Sequence, residues 1–143
     1  MHALFRPKTN GIVRAHIEPP EVKAGHYSDR QEILMEMKNI PFGTTDWSEI
    51  VPAVHKGETG MAVWRTQQFE NIRVRMVEYS VGYLADHWCT KGHILLCIEG
   101  ELHTELADGR TFLLTPGTSY QVADNAEPHR SYTSTGVKLF IVD

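Results

Sequence analysis

The sequence predicts an all-β protein, either an antiparallel sandwich or a small barrel. From about Ile40 onward, short strand-like runs alternate with turn signals. The same part of the chain has no long helical period. Asp108-Gly109 falls between two of these runs, and both residues tolerate the positive φ of a tight hairpin. Short strands at close spacing are typical of sandwiches and barrels.

The runs divide the chain into eight or nine strands. The first two are separated near Glu70-Asn71, the next two are joined at Glu99-Gly100, and Pro116-Gly117 starts a later turn. "DWSEIV", ahead of them, indicates a short turn or helix. The stretch LADGRTFLL turns at Asp108-Gly109. In chain order, the runs are MAVWRTQQF, NIRVRMVEYS, HILLCIE, ELHTELA, RTFLL, SYQVA, HRSYTS and VKLFIV.

Residues 1–34 have a different character from the rest of the chain. They contain a Pro pair, scattered charges and little alternation, and "SDRQEILMEMK" is consistent with a short helix that has a capping box. We therefore expect an irregular or partly helical extension over 1–34 and a barrel domain over 35–143. Gln31-Glu32 can be encoded as CAGGAG, which resembles a ribosome-binding site two codons before Met35. The hypothesis is that 1–34 lie outside the working domain.

The competing interpretation is that "GIVRAHIE", within the first 34 residues, adds an edge strand, either to its own barrel or swapped onto a partner. A protein truncated to begin at Met35 decides between the two interpretations. Loss of metal, solubility or oligomeric state in that protein would assign the extension to the fold.

Composition excludes several classes of function. The formal net charge is −4 and Lys and Arg do not cluster, which argues against binding to nucleic acid or to an anionic membrane. No apolar run approaches the roughly 20 residues that cross a bilayer. The N-terminus lacks the apolar stretch of a secretory signal, so we expect a cytoplasmic protein. Two cysteines do not make a disulfide framework.

The segment "ADHWCTKGHILLCIEG" brings three metal-ligating residue types together, His87, Cys89 and His93. Their even separations place them on one face of a strand. On a straight strand, however, His87 and His93 would be roughly 20 Å apart, whereas metal–ligand distances are about 2.0–2.3 Å. The chain must therefore fold back, and Gly92 is the residue that permits this bend.

A further candidate ligand, His129, follows a Pro and opens a strand-like run. Antiparallel barrels bring such distant strand starts side by side, so His129 is expected near the same site. Asp86 is a candidate hydrogen-bond acceptor for a ligand His. The alternatives are a barrel mouth whose histidines hold only water and a Cys89 that is simply packed. For Cys97, in the apolar "ILLCI", core packing is expected.

This arrangement resembles the cupin family. The first cupin motif is His-x-His, three or four residues, Glu and a Gly turn, and the second has Pro-x-Gly or a close variant followed by His. When "IEG" is aligned with the common "LEG", His87 takes the first His position and Cys89 the second. His93 takes the Glu position and His129 the second-motif His. "DHWCTKGH" is similar to small bacterial cupins described as having a DHCW motif, and the resemblance covers about residues 37–143.

The resemblance implies a jelly-roll barrel, a metal held by His87, Cys89, His93 and His129, and a homodimer. Three imidazoles and a thiolate suit Zn²⁺ best, with Fe, Cu, Mn and Ni as alternatives. A small-molecule ligand or substrate is expected, and the protein is interpreted either as a metalloenzyme or as a non-catalytic binding or sensor barrel. A bare structural or dimerisation module is the third interpretation.

Two further groups of residues are candidates for the walls of the site. Arg65, Arg73 and Arg75 either line the pocket, where they would hold an anion, or lie on a solvated outer face. Three tyrosines are interpreted either as pocket walls or as core and rim packing. They are Tyr79, Tyr83 and Tyr120.

Overall fold

The computed structural model describes residues 35–143, which form nine β-strands. The strands are β1 Ala53–Lys56, β2 Met61–Phe69, β3 Ile72–Tyr79, β4 His93–Gly100, β5 Leu102–Leu106, β6 Thr111–Leu114, β7 Ser119–Val122, β8 His129–Tyr132 and β9 Val137–Val142. The all-β prediction is confirmed. Nothing in this part of the chain is a helix able to cross a membrane. The expectations for 1–34, both the partly helical extension and the added edge strand, lie outside the described residues.

The strands form two antiparallel sheets. The larger has six strands in the order β1-β2-β3-β9-β4-β7, and the smaller has three in the order β6-β5-β8. The last strand, β9, lies between β3 and β4, with Val77 opposite Leu139 and Leu95 opposite Ile141. Strands that are neighbours in the larger sheet, such as β3 and β9, are far apart in sequence. The connections between them therefore cross over other strands, as in a jelly roll.

The core lies between the two sheets because alternate side chains of each strand point inward. In β9, Val137, Leu139 and Ile141 are buried, while the residues between them are partly exposed. Their buried neighbours come from both sheets. These neighbours are Val77, Leu95, Cys97, Leu102 and Leu114. Cys97 is 1% exposed, so the prediction that it packs in the core is confirmed.

The turns follow the sequence signals. Gly109, with φ +92°, closes the hairpin between β5 and β6, and Asp108 accepts a hydrogen bond from the Arg110 amide. Glu70 adopts φ +53° in the β2–β3 turn. Strand β1 was not predicted. It has only four residues, all exposed, and as an edge strand it carries no burial alternation to detect.

Candidate metal centre

A cavity of about 230 Å³ lies between the two sheets. Its walls come from β2, β3, β4 and β9 of the larger sheet, from β7 at that sheet's edge and from β8 of the smaller sheet. The segment between β3 and β4 contributes the remaining wall. Tyr79, Tyr83 and Tyr120 all line it, and the rings of Tyr79 and Tyr83 stack with centroids 4.1 Å apart.

Backbone pairing brings Cys89 and His129 together. The Cys89 amide donates to the His129 carbonyl at 2.8 Å, and the His129 amide donates to the Cys89 carbonyl at 3.0 Å. Cys89 belongs to the segment between β3 and β4, whereas His129 opens β8. This isolated bridge joins the segment ahead of β4 to the smaller sheet. The expectation that His129 lies beside the Cys89 segment is therefore confirmed.

Gly92 permits the return of the chain into β4. Its amide donates to Asp124 Oδ1 at 2.7 Å, and its Cα faces the backbone of residues 122–124. A Cβ at this position would lie 2.5 Å from the Asp124 amide nitrogen, closer than a real Cβ approaches backbone. Gly92 thus faces a crowded backbone wall that leaves no room for a side chain. The bend depends on this close approach rather than on a positive φ.

Cys89, His93 and His129 form a group whose potential ligand atoms all lie within 4.8 Å of one another. His129 is buried, and Cys89 and His93 are half-buried. Each is supplied by a different part of the fold: the segment before β4, the first residue of β4 and the first residue of β8. A thiol and two imidazoles in this arrangement are a donor set for a borderline transition metal.

Hydrogen bonds orient both imidazoles. His129 Nδ1 lies 2.9 Å from the Glu127 carbonyl oxygen, so it carries the proton and donates, which leaves the Nε2 lone pair free. The Nε2 atom of His129 lies 3.2 Å from the Nε2 atom of His93. The Tyr120 hydroxyl lies 2.9 Å from the same His93 atom. His93 Nδ1 is buried without a hydrogen-bond partner. Two imidazoles whose Nε2 atoms face each other at 3.2 Å beside a thiol fit a site that takes an ion.

The protonation states also favour ligation. Burial, helped by the nearby His129, lowers the pKa of His93 to about 4, so this ring is neutral at pH 7. The hydrogen bond that the Cys89 thiol shares with the His129 ring lowers the pKa of the thiol against the opposing effect of burial. The same contact raises the pKa of His129. A neutral imidazole and an easily formed thiolate are the forms that bind metal.

His87 lines the same cavity but does not belong to the three-donor group. Its side chain is 72% exposed, and its Nδ1 donates to Asp86 Oδ1 at 2.6 Å. This hydrogen bond is the main reason that the pKa of Asp86 lies below its usual value. Asp86 therefore accepts a hydrogen bond from His87. A metal-ligand role for His87 stays a prediction.

The three arginines separate into two environments. Arg65 does not line the cavity and pairs with Glu78 at 3.1 Å. Arg73 and Arg75 do line it, and both bind the carboxylate of Asp143. Side chains alternate between the two faces of β3, and Arg73 and Arg75 lie on the same inward face as the buried Val77. Both arginines therefore point into the cavity.

Sequence reasoning missed Asp143, Trp64 and Arg130 as cavity residues. The sequence did contain a signal for Asp143. It follows Val137, Leu139 and Ile141 at the same two-residue spacing, which places it on the inward face of β9. No comparable signal existed for Trp64. Its place in the wall depends on β2 pairing with β3 in one particular register, with Trp64 opposite Val77.

Comparisons with known proteins bear on the fold. No family model and no curated protein matches the sequence. Ectoine synthase from P. lautus is 21% identical with a TM-score of 0.59, and the match covers 71% of this chain and 76% of that one. A predicted oxalate decarboxylase from Thermotoga maritima is 15% identical with a TM-score of 0.59, covering 70% of this chain and 96% of that one.

A third solved structure carries the fold name in its description. It is an RmlC-like cupin from Shewanella frigidimarina, 19% identical with a TM-score of 0.52, and the match covers 73% of this chain and 88% of that one. Identities this low establish shared architecture. Together with the two antiparallel sheets and the cavity between them, these matches show that the chain has the jelly-roll fold of the cupin superfamily.

Proposed function

We propose that the protein is a metalloenzyme that acts on a small molecule in the cavity, with a divalent transition metal held by Cys89, His93 and His129. The observation that carries this proposal is the group of three donor atoms within 4.8 Å of one another at the wall of a 230 Å³ cavity. Catalytic zinc sites commonly use three protein ligands and keep a further position for water or substrate.

Zn²⁺ is the metal that we propose. A thiolate is a soft ligand and imidazole is borderline, and no carboxylate belongs to the group among the described residues. Harder ions such as Mg²⁺ and Ca²⁺ prefer oxygen ligands. Fe, Cu, Mn and Ni are the competing ions, with Mn the least suited to sulfur.

The chain's own residues would position and shield the reacting molecule. Trp64, Tyr79 and Tyr83 provide aromatic walls that limit water. The Tyr120 hydroxyl, 2.9 Å from His93 Nε2, fixes the orientation of that ring. A bound Zn²⁺ would supply Lewis acidity or lower the pKa of a water molecule. His87, held by Asp86, lies in the cavity wall, where it can contact a ligand.

The second candidate function is a non-catalytic metal- or ligand-binding barrel, such as a sensor. It is favoured if His87 joins the other donors, because four protein ligands close a tetrahedral site. One observation supports this function, because His87 lines the same cavity as the three donors. The number of protein ligands therefore separates the two functions.

Elemental analysis of the purified protein tests the proposal. We expect about one transition-metal ion per chain, and near-complete loss of that ion in His93→Ala and in His129→Ala. His103→Ala is the matched control, because His103 stacks on Tyr132 and does not line the cavity. Full metal occupancy in both site variants would refute the proposal.

We also propose a homodimer. Ile94, Leu96 and Ile98 of β4 point away from the core and are 59%, 37% and 37% exposed. A row of apolar side chains on one strand is a surface that a second copy can cover. Sedimentation analysis should show a dimer that Ile94→Asp weakens, whereas Val81→Asp, at an exposed position outside this row, should not.

A further inference from the structure

The cavity wall contains two guanidinium groups and one carboxylate. Arg73 donates from Nε and Nη2 to the two Asp143 oxygens at 2.7 and 2.8 Å, and Arg75 donates from Nη2 to Oδ2 at 2.6 Å. The Asp143 side chain is only 1% exposed. The Asp143 side chain balances one of the two guanidinium groups, so these three side chains together carry a net positive charge.

That charge is concentrated at Arg75, which is 6% exposed. Its guanidinium lies over the Trp64 ring at 4.5 Å, and its Nε is buried without a hydrogen-bond partner. Burial lowers the pKa of Arg75 and the neighbouring Arg73 lowers it further, although Asp143 opposes both effects. Because Arg75 shares its one carboxylate partner with Arg73 and keeps an unused donor, a second anion would stabilise it.

The other charged residues of the cavity have the same sign. Lys91 and Arg130 also line it, but both have acidic partners outside the lining. Asp124 lies 3.2 Å from Lys91, and Glu105 and Glu58 lie 3.4 and 3.8 Å from Arg130. Arg73 and Arg75 are therefore the two cationic side chains of the lining that share a single acidic partner. The net positive charge that Arg73, Arg75 and Asp143 share attracts small anions.

We propose that the ligand of this cavity is a small organic oxyanion, a carboxylate or a phosphate, whose anionic group is bound by Arg75 and Arg73. Guanidinium groups bind both kinds of oxyanion in the same forked geometry. Because a cavity of about 150 Å³ holds benzene, one of 230 Å³ admits a molecule of about ten non-hydrogen atoms. The inference rests on the proposed function, because the anion lies in the same cavity as the metal donors.

Calorimetric titration of the purified full-length protein tests the inference, with malonate, methylphosphonate and the uncharged malonamide as probes. Malonate and methylphosphonate separate a carboxylate from a phosphorus oxyanion, and malonamide removes the charge. We expect at least one of the two anions to bind at least about tenfold more tightly than malonamide. Arg75→Gln should reduce that preference by about tenfold or more.

Arg65→Gln is the matched control, since Arg65 also lies on a strand of the larger sheet but pairs with Glu78 outside the cavity. It should bind the anions as the unmodified protein does. If Arg75→Gln does not fold, Arg73→Gln replaces it, because the Arg73 side chain is 38% exposed and more tolerant of change. Anion affinity that is unchanged in a folded Arg75 or Arg73 variant would overturn the inference.

Metal content, measured on the same samples, separates this inference from the proposed function. Protein that lacks metal but still prefers the anions over malonamide supports the inference and contradicts the proposed metal site. Equal affinity for the anions and malonamide overturns the inference, whatever the metal content.

Discussion

The Nε2 atoms of His93 and His129 lie 3.2 Å apart, although the two residues are separated by 36 positions in sequence. His93 opens β4 of the larger sheet, and His129 opens β8 of the smaller one. Their contact therefore depends on how the two sheets pack. A metal bound by both rings would join the sheets directly, and its removal should affect the stability of the whole barrel.

Metal should therefore raise the free energy of unfolding. Zn²⁺ at about one hundred times its dissociation constant should stabilise the protein by about 2.7 kcal/mol, because the ion binds only the folded arrangement of donors. Chemical denaturation with zinc and with a chelator measures the difference. His129→Ala should abolish the zinc-dependent gain, and a gain of the same size in that variant would contradict a site at His129.

Replacement of Cys89 by Ser should change metal selectivity. A hard hydroxyl oxygen in place of a soft sulfur reduces the preference for Zn²⁺ over Mn²⁺. Competitive metal titration measures this preference. Cys97→Ala is the control, because the Cys97 thiol is buried in the core and contacts the backbone carbonyls of Glu99 and Gly100. Selectivity that is unchanged in Cys89→Ser would remove Cys89 from the ligand set.

The role of His87 can be measured by the size of its effect on metal affinity. His87 is exposed and held by Asp86, so we expect His87→Ala to weaken zinc binding by about tenfold, less than His129→Ala does. Zinc titration against a competing chelator gives both values. Equal losses in the two variants would indicate a closed four-ligand site and would favour the non-catalytic function.

Gly92→Val should cost both stability and metal. Its Cβ would enter the backbone of residues 122–124, so β4 must shift away from β7 and carry His93 with it. Overpacking of this kind costs about 1–3 kcal/mol. Gly43→Ala is the control, because a Cβ there meets nothing within 4 Å. A Gly92→Val protein of normal stability and metal content would show that the close approach is dispensable.

Asp143→Asn should destabilise the protein by about 3 kcal/mol at pH 7, because two arginines lose a nearly buried carboxylate. Arg73 and Arg75 outweigh burial and hold the pKa of Asp143 below its usual value. The ionised carboxylate therefore stabilises the fold above about pH 4, and this contribution is lost as the pH falls through the lowered pKa. Urea denaturation at several pH values measures it.

The difference in stability between Asp143→Asn and the unmodified protein should accordingly narrow below about pH 4. A difference that stays constant from pH 7 down to pH 3 would show that ionisation of Asp143 contributes nothing to stability. Glu78→Gln is the control for a carboxylate outside the cavity, since Glu78 pairs with Arg65 in a more exposed position.

The sequence by itself predicted the fold class, and it named Cys89, His93 and His129, whose potential ligand atoms the structure brings within 4.8 Å of one another. Hairpin signals such as Asp108-Gly109 and the period-2 alternation of β9 are local properties of the chain, and the strands formed where they indicated. The alternation of side chains along β3 placed Arg73 and Arg75 on the same face as Val77. It did not decide whether that face pointed toward the core or toward solvent.

Only the tertiary structure decided which of these residues meet. The bridge between Cys89 and His129 and the 3.2 Å contact between the two imidazoles depend on the packing of one sheet against the other. The place of Asp143 beside both arginines likewise depends on β9 lying between β3 and β4. Local periodicity fixes the face on which a side chain lies, but the distance between faces is set by register and sheet packing, and both are long-range properties.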